Sequence, residues 1–199
     1  PYGCTYCNTF ISWGKSVRYK NVDNLINEMS NLKLNYGAQL HFVDDNLSFN
    51  KDWTVKWLDK LAEKKLDLSV SCSNFHYRRL DEEILDKLFK IGVQEISIAL
   101  ETGSDSMNRK IQRRLDWERA KRVVDHVRKR GKRSAVFWML GFPGESMKEL
   151  NETFRLAKKI KSTRNLFSVV TPYPGTKLWD NAKDLNALIV DDNSIMDLF

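Results

Sequence analysis

The spacing of hydrophobic residues along the chain changes repeatedly between the helical and the strand period. Helical spacing covers about 22–32, 52–64, 82–90, 117–130 and 147–160, with a short helix after residue 104. Strand spacing covers 39–43, 66–72, 93–100, 134–140 and 166–170. Strands that alternate with helices predict parallel βαβ units, so the fold class is α/β. The pattern alone allows either an open doubly wound sheet or a barrel.

Capping residues mark several of the predicted helix starts. Asp81 and Asp116 stand where an N-cap accepts a backbone hydrogen bond, and Ser146 with Glu149 has the spacing of a capping box. Ser104 is in position to cap the short helix that follows it. His126 falls inside a predicted helix, and we expect it to be partly exposed.

Composition indicates a single folded domain over residues 1–199. Hydrophobic residues make up 42% of the 199 and charged residues 30%, enough for a core without the bias of a disordered chain. No apolar run approaches the roughly 20 residues of a membrane span. Three cysteines do not suggest a disulfide framework in a chain of this length, and a reducing, cytoplasmic compartment is expected.

Part of the net charge of +7 comes from one basic stretch, Arg119 to Arg133. It could be a nucleic-acid patch or a solvated helix face. No aromatic residue interleaves with the charges after Trp117, so the solvated face is the better interpretation and a nucleic-acid partner is not expected.

Polar and turn-forming residues follow all five predicted strands. The segments are Asp44-Asp45-Asn46, Cys72 to His76, Glu101 to Ser104, Gly141 to Glu145 and Thr171 to Thr176. The carboxyl ends of parallel strands meet at one edge, where α/β proteins bind ligands. Asp44 and Asp45 could instead cap the next helix, and Cys72 alternates with Val70 as a side chain packed in the sheet.

The remaining cysteines, Cys4 and Cys7, stand two residues apart in a loop that begins Pro1-Tyr2-Gly3. A zinc site with Cys72 and His76 would require distant loops to converge. An iron–sulfur cluster fits better, because thiolates are its usual ligands. The segment has the form of the end of a C-x3-C-x2-C loop whose first cysteine would precede Pro1. We therefore expect a fragment truncated at both ends.

These segments together resemble one family. The cluster loop and the strand-end motifs Phe42 to Asn46, Ala99 to Asp105, Leu140 to Glu145 and Thr171 to Thr176 are similar, in order and spacing, to those of radical S-adenosylmethionine (radical SAM) enzymes. The resemblance is greatest to the branch whose members carry an upstream cobalamin-binding domain. It covers nearly the whole chain.

The resemblance implies a fold and a set of contacts. The fold would be a partial, TIM-like (β/α)6 barrel whose first strand lies mostly before Pro1. Cys4 and Cys7 would be the second and third ligands of a [4Fe–4S] cluster. Three parts of S-adenosylmethionine would each have their own contacts. The adenine would lie near Tyr6, Leu140 and Gly141, with Thr171 and Tyr173 beside them. The methionine amino group would lie near Asp44 and Asp45, and the ribose near Glu101 and Ser104.

The resemblance also implies the chemistry. Reductive cleavage of S-adenosylmethionine would give a 5′-deoxyadenosyl radical that abstracts hydrogen from a small-molecule or lipid-like substrate. Methyl transfer or cyclisation would follow, with cobalamin held by a domain outside this chain and electrons from a reductase such as flavodoxin or ferredoxin. The alternative enzyme is a methylthiotransferase-like modifier of RNA or protein. The alternative of another class is a non-catalytic module that binds zinc or nucleic acid.

Overall fold

The computed structural model describes residues 2–37, 40–44, 46–66, 70–72 and 75–186. Of the positions discussed above, Pro1, residue 39, residues 67–69 and residues 73–74 lie outside this part of the chain. Asp45 lies outside the described residues, and so does the side chain of Cys72.

Helices and strands alternate along the described chain as predicted. The helices are α1 (Thr9–Trp13), α2 (Val22–Tyr36), α3 (Lys51–Lys64), α4 (Glu82–Lys90), α5 (Asp105–Lys110), α6 (Trp117–Lys129), α7 (Met147–Lys159) and α8 (Lys177–Asp184). The strands are β1 (Leu40–Phe42), β2 (Val70–Cys72), β3 (Glu95–Glu101), β4 (Arg133–Leu140) and β5 (Arg164–Val169). Within this part, no helix has both the length and the apolar character needed to cross a bilayer.

The strand order resolves the choice between a sheet and a barrel. β1 pairs with β2, and β3, β4 and β5 pair in that order, all in parallel. A parallel bridge between Phe75 and Ile98 joins the two groups. The strands therefore follow one another in chain order, whereas a doubly wound sheet reverses direction at a switch point. The expected partial barrel is confirmed.

The main core lies between the strands and the helices. In β4, Val136 and Trp138 are fully buried and belong to the same apolar cluster as Ala157 and Ile160. Phe137, between them, is 36% exposed. Since side chains alternate across a strand, it points to the opposite face. Phe137 is therefore a partly exposed aromatic position on the concave face of the array.

Local capping agrees with most of the predicted helix starts. The side chains of Asp81 and Asp116 accept hydrogen bonds from Ile84 N and Arg119 N, and Ser146 with Glu149 forms the complete capping box. Ser104 precedes α5, but its side chain makes no capping bond. Helices α1 and α8 were not predicted. Both are short, and α8 begins at a threonine cap, Thr176, that follows a Pro-Tyr-Pro-Gly turn.

The expectation that His126 is partly exposed was wrong. It is buried, and its Nε2 lies 2.7 Å from Asp86 Oδ1 of α4. The partner carboxylate compensates the cost of burying a polar ring. Other members of the basic stretch also find partners within the fold: Lys121 and Arg128 pair with Asp125, and Arg130 pairs with Asp86. These pairs favour the solvated helix face.

Candidate functional site

The loop that carries Cys4 and Cys7 is fixed at two points. Thr5 N donates to Ile111 O, 3.1 Å away, and Thr5 O accepts from Leu178 N at 3.0 Å. Cys7 N donates to Cys4 O at 3.3 Å, which closes a tight turn. Both thiols are free; Cys4 is buried and Cys7 half-buried. The turn therefore places two unpaired thiols on one loop, supported by the end of α5 and the start of α8.

The side chain between the two cysteines makes a buried polar contact with residues of two other segments. Tyr6 Oη donates to Glu101 Oε1 at 3.0 Å and accepts from Arg113 NH1 at 2.9 Å. Arg113 NH2 donates to Ala99 O at 2.6 Å, and its NH1 lies 3.6 Å from Glu101 Oε1. This three-residue cluster of Tyr6, Glu101 and Arg113 joins the Cys loop to the end of β3.

Burial dominates the electrostatics of this cluster. It raises the pKa of Glu101, because loss of water disfavours the carboxylate, while the Arg113 guanidinium and the Tyr6 hydroxyl act in the opposite direction. Burial also raises the pKa of Tyr6, and the nearby Glu101 adds to the effect. For Arg113 burial alone would lower the pKa, but Tyr6 and Glu101 raise it. The site thus contains a fixed positive charge beside a carboxyl group that takes up a proton more readily than an exposed glutamate.

The backbone at the end of β3 departs from regular strand geometry. Glu101 has φ of 69°, and the pairing register with β4 shifts between Ala99 and Glu101. Left-handed backbone is unfavourable for a residue with a side chain and is often found at functional sites. The side chain of Glu101, at this irregular position, contacts Tyr6.

The residues that follow pack closely on α7. Gly103 N donates to Thr153 Oγ1 at 2.9 Å, and the hydroxyls of Thr102 and Thr153 lie 3.1 Å apart. A Cβ on Gly103 would lie 2.7 Å from Thr153 Cα and 2.9 Å from Glu152 O. Both atoms belong to the helix backbone and cannot move aside independently. Gly103 therefore permits the close approach that anchors this loop.

We expect Gly103→Ala to destabilise the protein by about 3 kcal/mol, since the added methyl must displace α7. The matched control is Gly144→Ala, where φ is +71° but no atom lies within 4 Å of the added Cβ; its backbone strain should cost about 1 kcal/mol. Urea unfolding of both variants measures the difference. Equal losses of stability would show that the clash with α7 is absent.

The ends of β4 and β5 complete the same edge of the barrel. Glu145 Oε2 accepts from Gly141 N at 2.7 Å and from Phe142 N at 3.2 Å, which holds the turn after β4. Val170 N donates to Leu140 O at 2.8 Å, and the rings of Tyr6 and Phe142 lie edge to face with centroids 6.1 Å apart. Among the described residues, Glu145 Oε1 is buried with no hydrogen-bond partner.

His76 lies on the other side of the Cys loop. Its ring packs at a tilt of 30° against Tyr2, with centroids 4.5 Å apart, and its Nδ1 is buried without a partner in the described part of the chain. Burial lowers the pKa of His76 to about 4, and Arg113, Arg78 and Arg79 contribute to the shift. The imidazole is therefore neutral near pH 7.

The structure brings only some of the predicted residues together. Tyr6 and Glu101 touch, and Leu140 and Gly141 lie on the neighbouring strand end; Gly141 is exposed with φ of 81°. Thr171 is exposed and Tyr173 half-buried on the segment after β5, and Asp44 is exposed after β1. Ser104, which was expected at the ribose, is fully buried, and its hydroxyl shares a hydrogen bond with that of Ser106.

Sequence reasoning missed two features of this edge. One is the buried Arg113, and the other is the role of Glu145 in holding the turn after β4. Over the described residues, no three histidine, cysteine, aspartate or glutamate side chains converge as metal ligands would. Cys4, Cys7 and His76 do not form such a group, and Cys72, the fourth member of the zinc alternative, has a side chain outside the described residues.

Comparison with known proteins gives a family and a set of relatives. The family model described as the radical SAM superfamily matches residues 1–157. An uncharacterized methyltransferase of Pyrococcus horikoshii is 27% identical over 190 residues, covering 95% of this chain and 41% of the relative. The bacteriochlorophyllide d C-12(1)-methyltransferase of Chlorobaculum tepidum is 27% identical over 192 residues, covering 92% and 41%. Weaker matches include a tRNA methylthiotransferase of Thermotoga maritima.

Among solved structures, the chain is similar to the radical S-adenosylmethionine methyltransferase TsrM of Kitasatospora setae, determined with cobalamin and a [4Fe–4S] cluster bound. The TM-score is 0.76 at 19% identity, covering 89% of this chain and 36% of TsrM. This likeness supports the fold. The chain spans about two fifths of the length of the curated relatives named above.

Proposed function

Because the chain belongs to the radical SAM superfamily, we propose that residues 1–199 form the catalytic core of an enzyme that cleaves S-adenosylmethionine reductively at a [4Fe–4S] cluster. The observation that carries the proposal is the Cys4–Cys7 loop: two free thiols held at the carboxyl edge of a parallel barrel, beside a buried carboxylate and a buried guanidinium.

The residues present fit these two groups. Thiolates are the usual ligands of iron–sulfur clusters, and neither thiol is engaged in a disulfide. Glu101 uses only Oε1 for its contacts with Tyr6 and Arg113. Its Oε2 has no hydrogen-bond partner within the described residues and can accept from a ligand hydroxyl, as a ribose contact requires.

The proposed roles follow the strand ends. Cys4 and Cys7 bind iron, and Glu101 binds the ribose. Tyr6, Leu140 and Gly141 contact the adenine, with Thr171 and Tyr173 nearby, and Asp44 with Asp45 receives the methionine amino group. The role of Ser104 is weakest, since its hydroxyl already bonds Ser106. Cys4 and Cys7 would hold a cluster that in its reduced form could supply the electron needed to cleave S-adenosylmethionine to methionine and a 5′-deoxyadenosyl radical.

The protein's own contribution to this chemistry is positional. The Cys loop is tied to Ile111 and Leu178, and Glu145 holds the turn after β4, so the groups around the ligand are fixed before it binds. Fixed groups lower the entropic cost of reaching the reactive geometry.

We further propose that the reaction is methyl transfer to a small-molecule substrate, with cobalamin bound outside this chain. Electrons would come from an acidic reductase such as flavodoxin, and the protein would be located in the cytoplasm. The methyltransferases among the relatives support this choice. The second candidate is a methylthiotransferase, which the weaker tRNA-modifying match favours.

We expect the full-length protein, reconstituted anaerobically with iron and sulfide, to hold about four irons per chain and to form 5′-deoxyadenosine from S-adenosylmethionine after dithionite reduction. Absorbance of the same preparation would detect bound cobalamin. About eight irons without cobalamin would favour the methylthiotransferase, because that function uses a second cluster. Zinc in place of iron, with no 5′-deoxyadenosine, would overturn the proposal.

A further inference from the structure

The segment just after α5 supports the cluster loop through one backbone contact and one side-chain contact. Ile111 O accepts from Thr5 N, and two residues later Arg113 NH1 donates to Tyr6 Oη. Thr5 and Tyr6 are the two residues between Cys4 and Cys7. The short segment 111–113 therefore holds the part of the chain that spaces the two thiols.

Arg113 is largely buried, whereas the other arginines near it in the sequence are exposed. Its side chain is 13% exposed, whereas Arg109 and Arg114 are exposed at the surface. Burying a guanidinium carries a large desolvation cost, and apolar residues commonly replace buried ion pairs without loss of stability. Packing alone therefore does not account for a cation at this position.

The donors of Arg113 are directed to specific acceptors. NH2 binds Ala99 O, the last regular position of β3 before the register shift, and NH1 binds Tyr6. Because a guanidinium is planar and rigid, these two bonds fix the Tyr6 hydroxyl relative to the end of β3. Tyr6 then donates to Glu101, so the loop, the strand end and the guanidinium form one rigid unit.

We infer that Arg113 is a positioning residue for the cluster loop and supplies the buried positive charge that favours the reduced state of the cluster. This inference rests on the proposed function. Gaining an electron makes the cluster more negative, and a cation in a medium of low dielectric stabilises the added charge more than the same cation in water. Net charge and hydrogen bonding around a cluster are among the factors that set its potential.

The test compares four variants in the full-length, reconstituted protein. Arg113→Met removes the charge but keeps a long side chain, and Arg113→Lys keeps the charge but loses the two-acceptor geometry. Tyr6→Phe removes the hydroxyl alone, and Arg114→Met removes an exposed cation from the same segment as the matched control. Midpoint potential is measured by redox titration followed by electron paramagnetic resonance, and iron release to a chelator is timed.

We expect Arg113→Met to reduce the ratio of reduced to oxidised cluster at a fixed potential by about tenfold, which is a shift of about 59 mV to more negative values. Arg113→Lys should restore most of the potential but still release iron faster than wild type. Tyr6→Phe should release iron faster with a smaller potential shift, and Arg114→Met should match wild type in both readouts.

Other outcomes would overturn the inference. Arg113→Met with lower thermal stability and unchanged potential would mean a purely structural role. Weaker binding of S-adenosylmethionine with unchanged potential and iron retention would mean that Arg113 contacts the ligand instead. If Arg113→Met does not fold, unchanged iron release in both Arg113→Lys and Tyr6→Phe would still refute the positioning role. A wild-type protein without a cluster would be a failure of the proposed function, seen before any variant is compared.

Discussion

Replacing Cys4 or Cys7 with serine in the full-length protein is expected to eliminate the iron–sulfur cluster and the cleavage of S-adenosylmethionine. Changes in the shell around metal ligands already reduce metal affinity by up to about 100-fold, so loss of a ligand should leave 5′-deoxyadenosine formation below roughly one hundredth of wild type. Iron per chain after anaerobic reconstitution and 5′-deoxyadenosine after dithionite reduction are the two measurements.

The matched control is Cys72→Ser, which changes the third cysteine of the sequence. Cys72 ends β2, far along the chain from the loop, and we expect its substitution to leave the iron content intact. Loss of iron in Cys72→Ser would show that this residue is a ligand. Full iron content and cleavage in Cys4→Ser would refute the cluster assignment itself.

The serine variants should keep their fold, which separates ligand loss from misfolding. The loop is fixed by backbone bonds of Thr5 to Ile111 and Leu178, and neither bond uses a cysteine side chain. Serine is close to cysteine in size, so the buried position of Cys4 is not emptied. Far-ultraviolet circular dichroism and thermal unfolding of the variants should therefore remain close to those of wild-type protein without its cluster.

The outline of the fold could be predicted because its signals are local. Each strand of the barrel has its own apolar segment, and the caps at Asp81, Asp116 and Ser146 lie next to the helices they start. Helix α1 escaped prediction because its five residues are too short for a helical period to emerge. Barrel closure could not be read from periodicity, since it depends on the order in which strands pair.

The candidate site could be predicted only as far as its motifs extend. Cys4, Cys7 and Glu101 occur in short patterns that a sequence displays directly. Arg113 gives no such signal: it stands in a segment with Arg109, Lys110 and Arg114, and nothing in the sequence tells which of the four is buried. The contact of Tyr6 with Glu101 joins residues 95 positions apart and depends on how the loop docks.

The same limit applies to His126. A histidine within an amphipathic helix has no sequence mark that separates an exposed position from one facing a neighbouring helix. Its burial follows from the packing of α6 against α4, which places Asp86 within hydrogen-bond distance. Tertiary contacts of this kind determine which polar residues are buried and which partners compensate their loss of hydration.

Replacing Glu101 with alanine is expected to weaken the binding of S-adenosylmethionine without removing iron. A hydrogen bond to a charged group contributes about 1.5–3 kcal/mol, so its loss corresponds to roughly 10- to 100-fold in dissociation constant. Glu101→Gln keeps an acceptor oxygen of similar size and should weaken binding less. Equilibrium binding of S-adenosylmethionine to the reconstituted protein, with iron counted in the same samples, measures both effects.

The control for charge is Asp105→Asn, an exposed carboxylate at the start of α5, four residues further along the same loop. It should leave the affinity unchanged.

Glu101→Ala also leaves the Arg113 guanidinium without its carboxylate, so some loss of thermal stability is expected whether or not a ligand binds. Glu101→Gln separates the loss of thermal stability from the loss of affinity for S-adenosylmethionine, because it retains an oxygen that can accept from Tyr6. If both Glu101 variants bind S-adenosylmethionine as wild type does, the carboxylate serves only to hold Tyr6 and Arg113, and the ribose contact must be assigned to another residue.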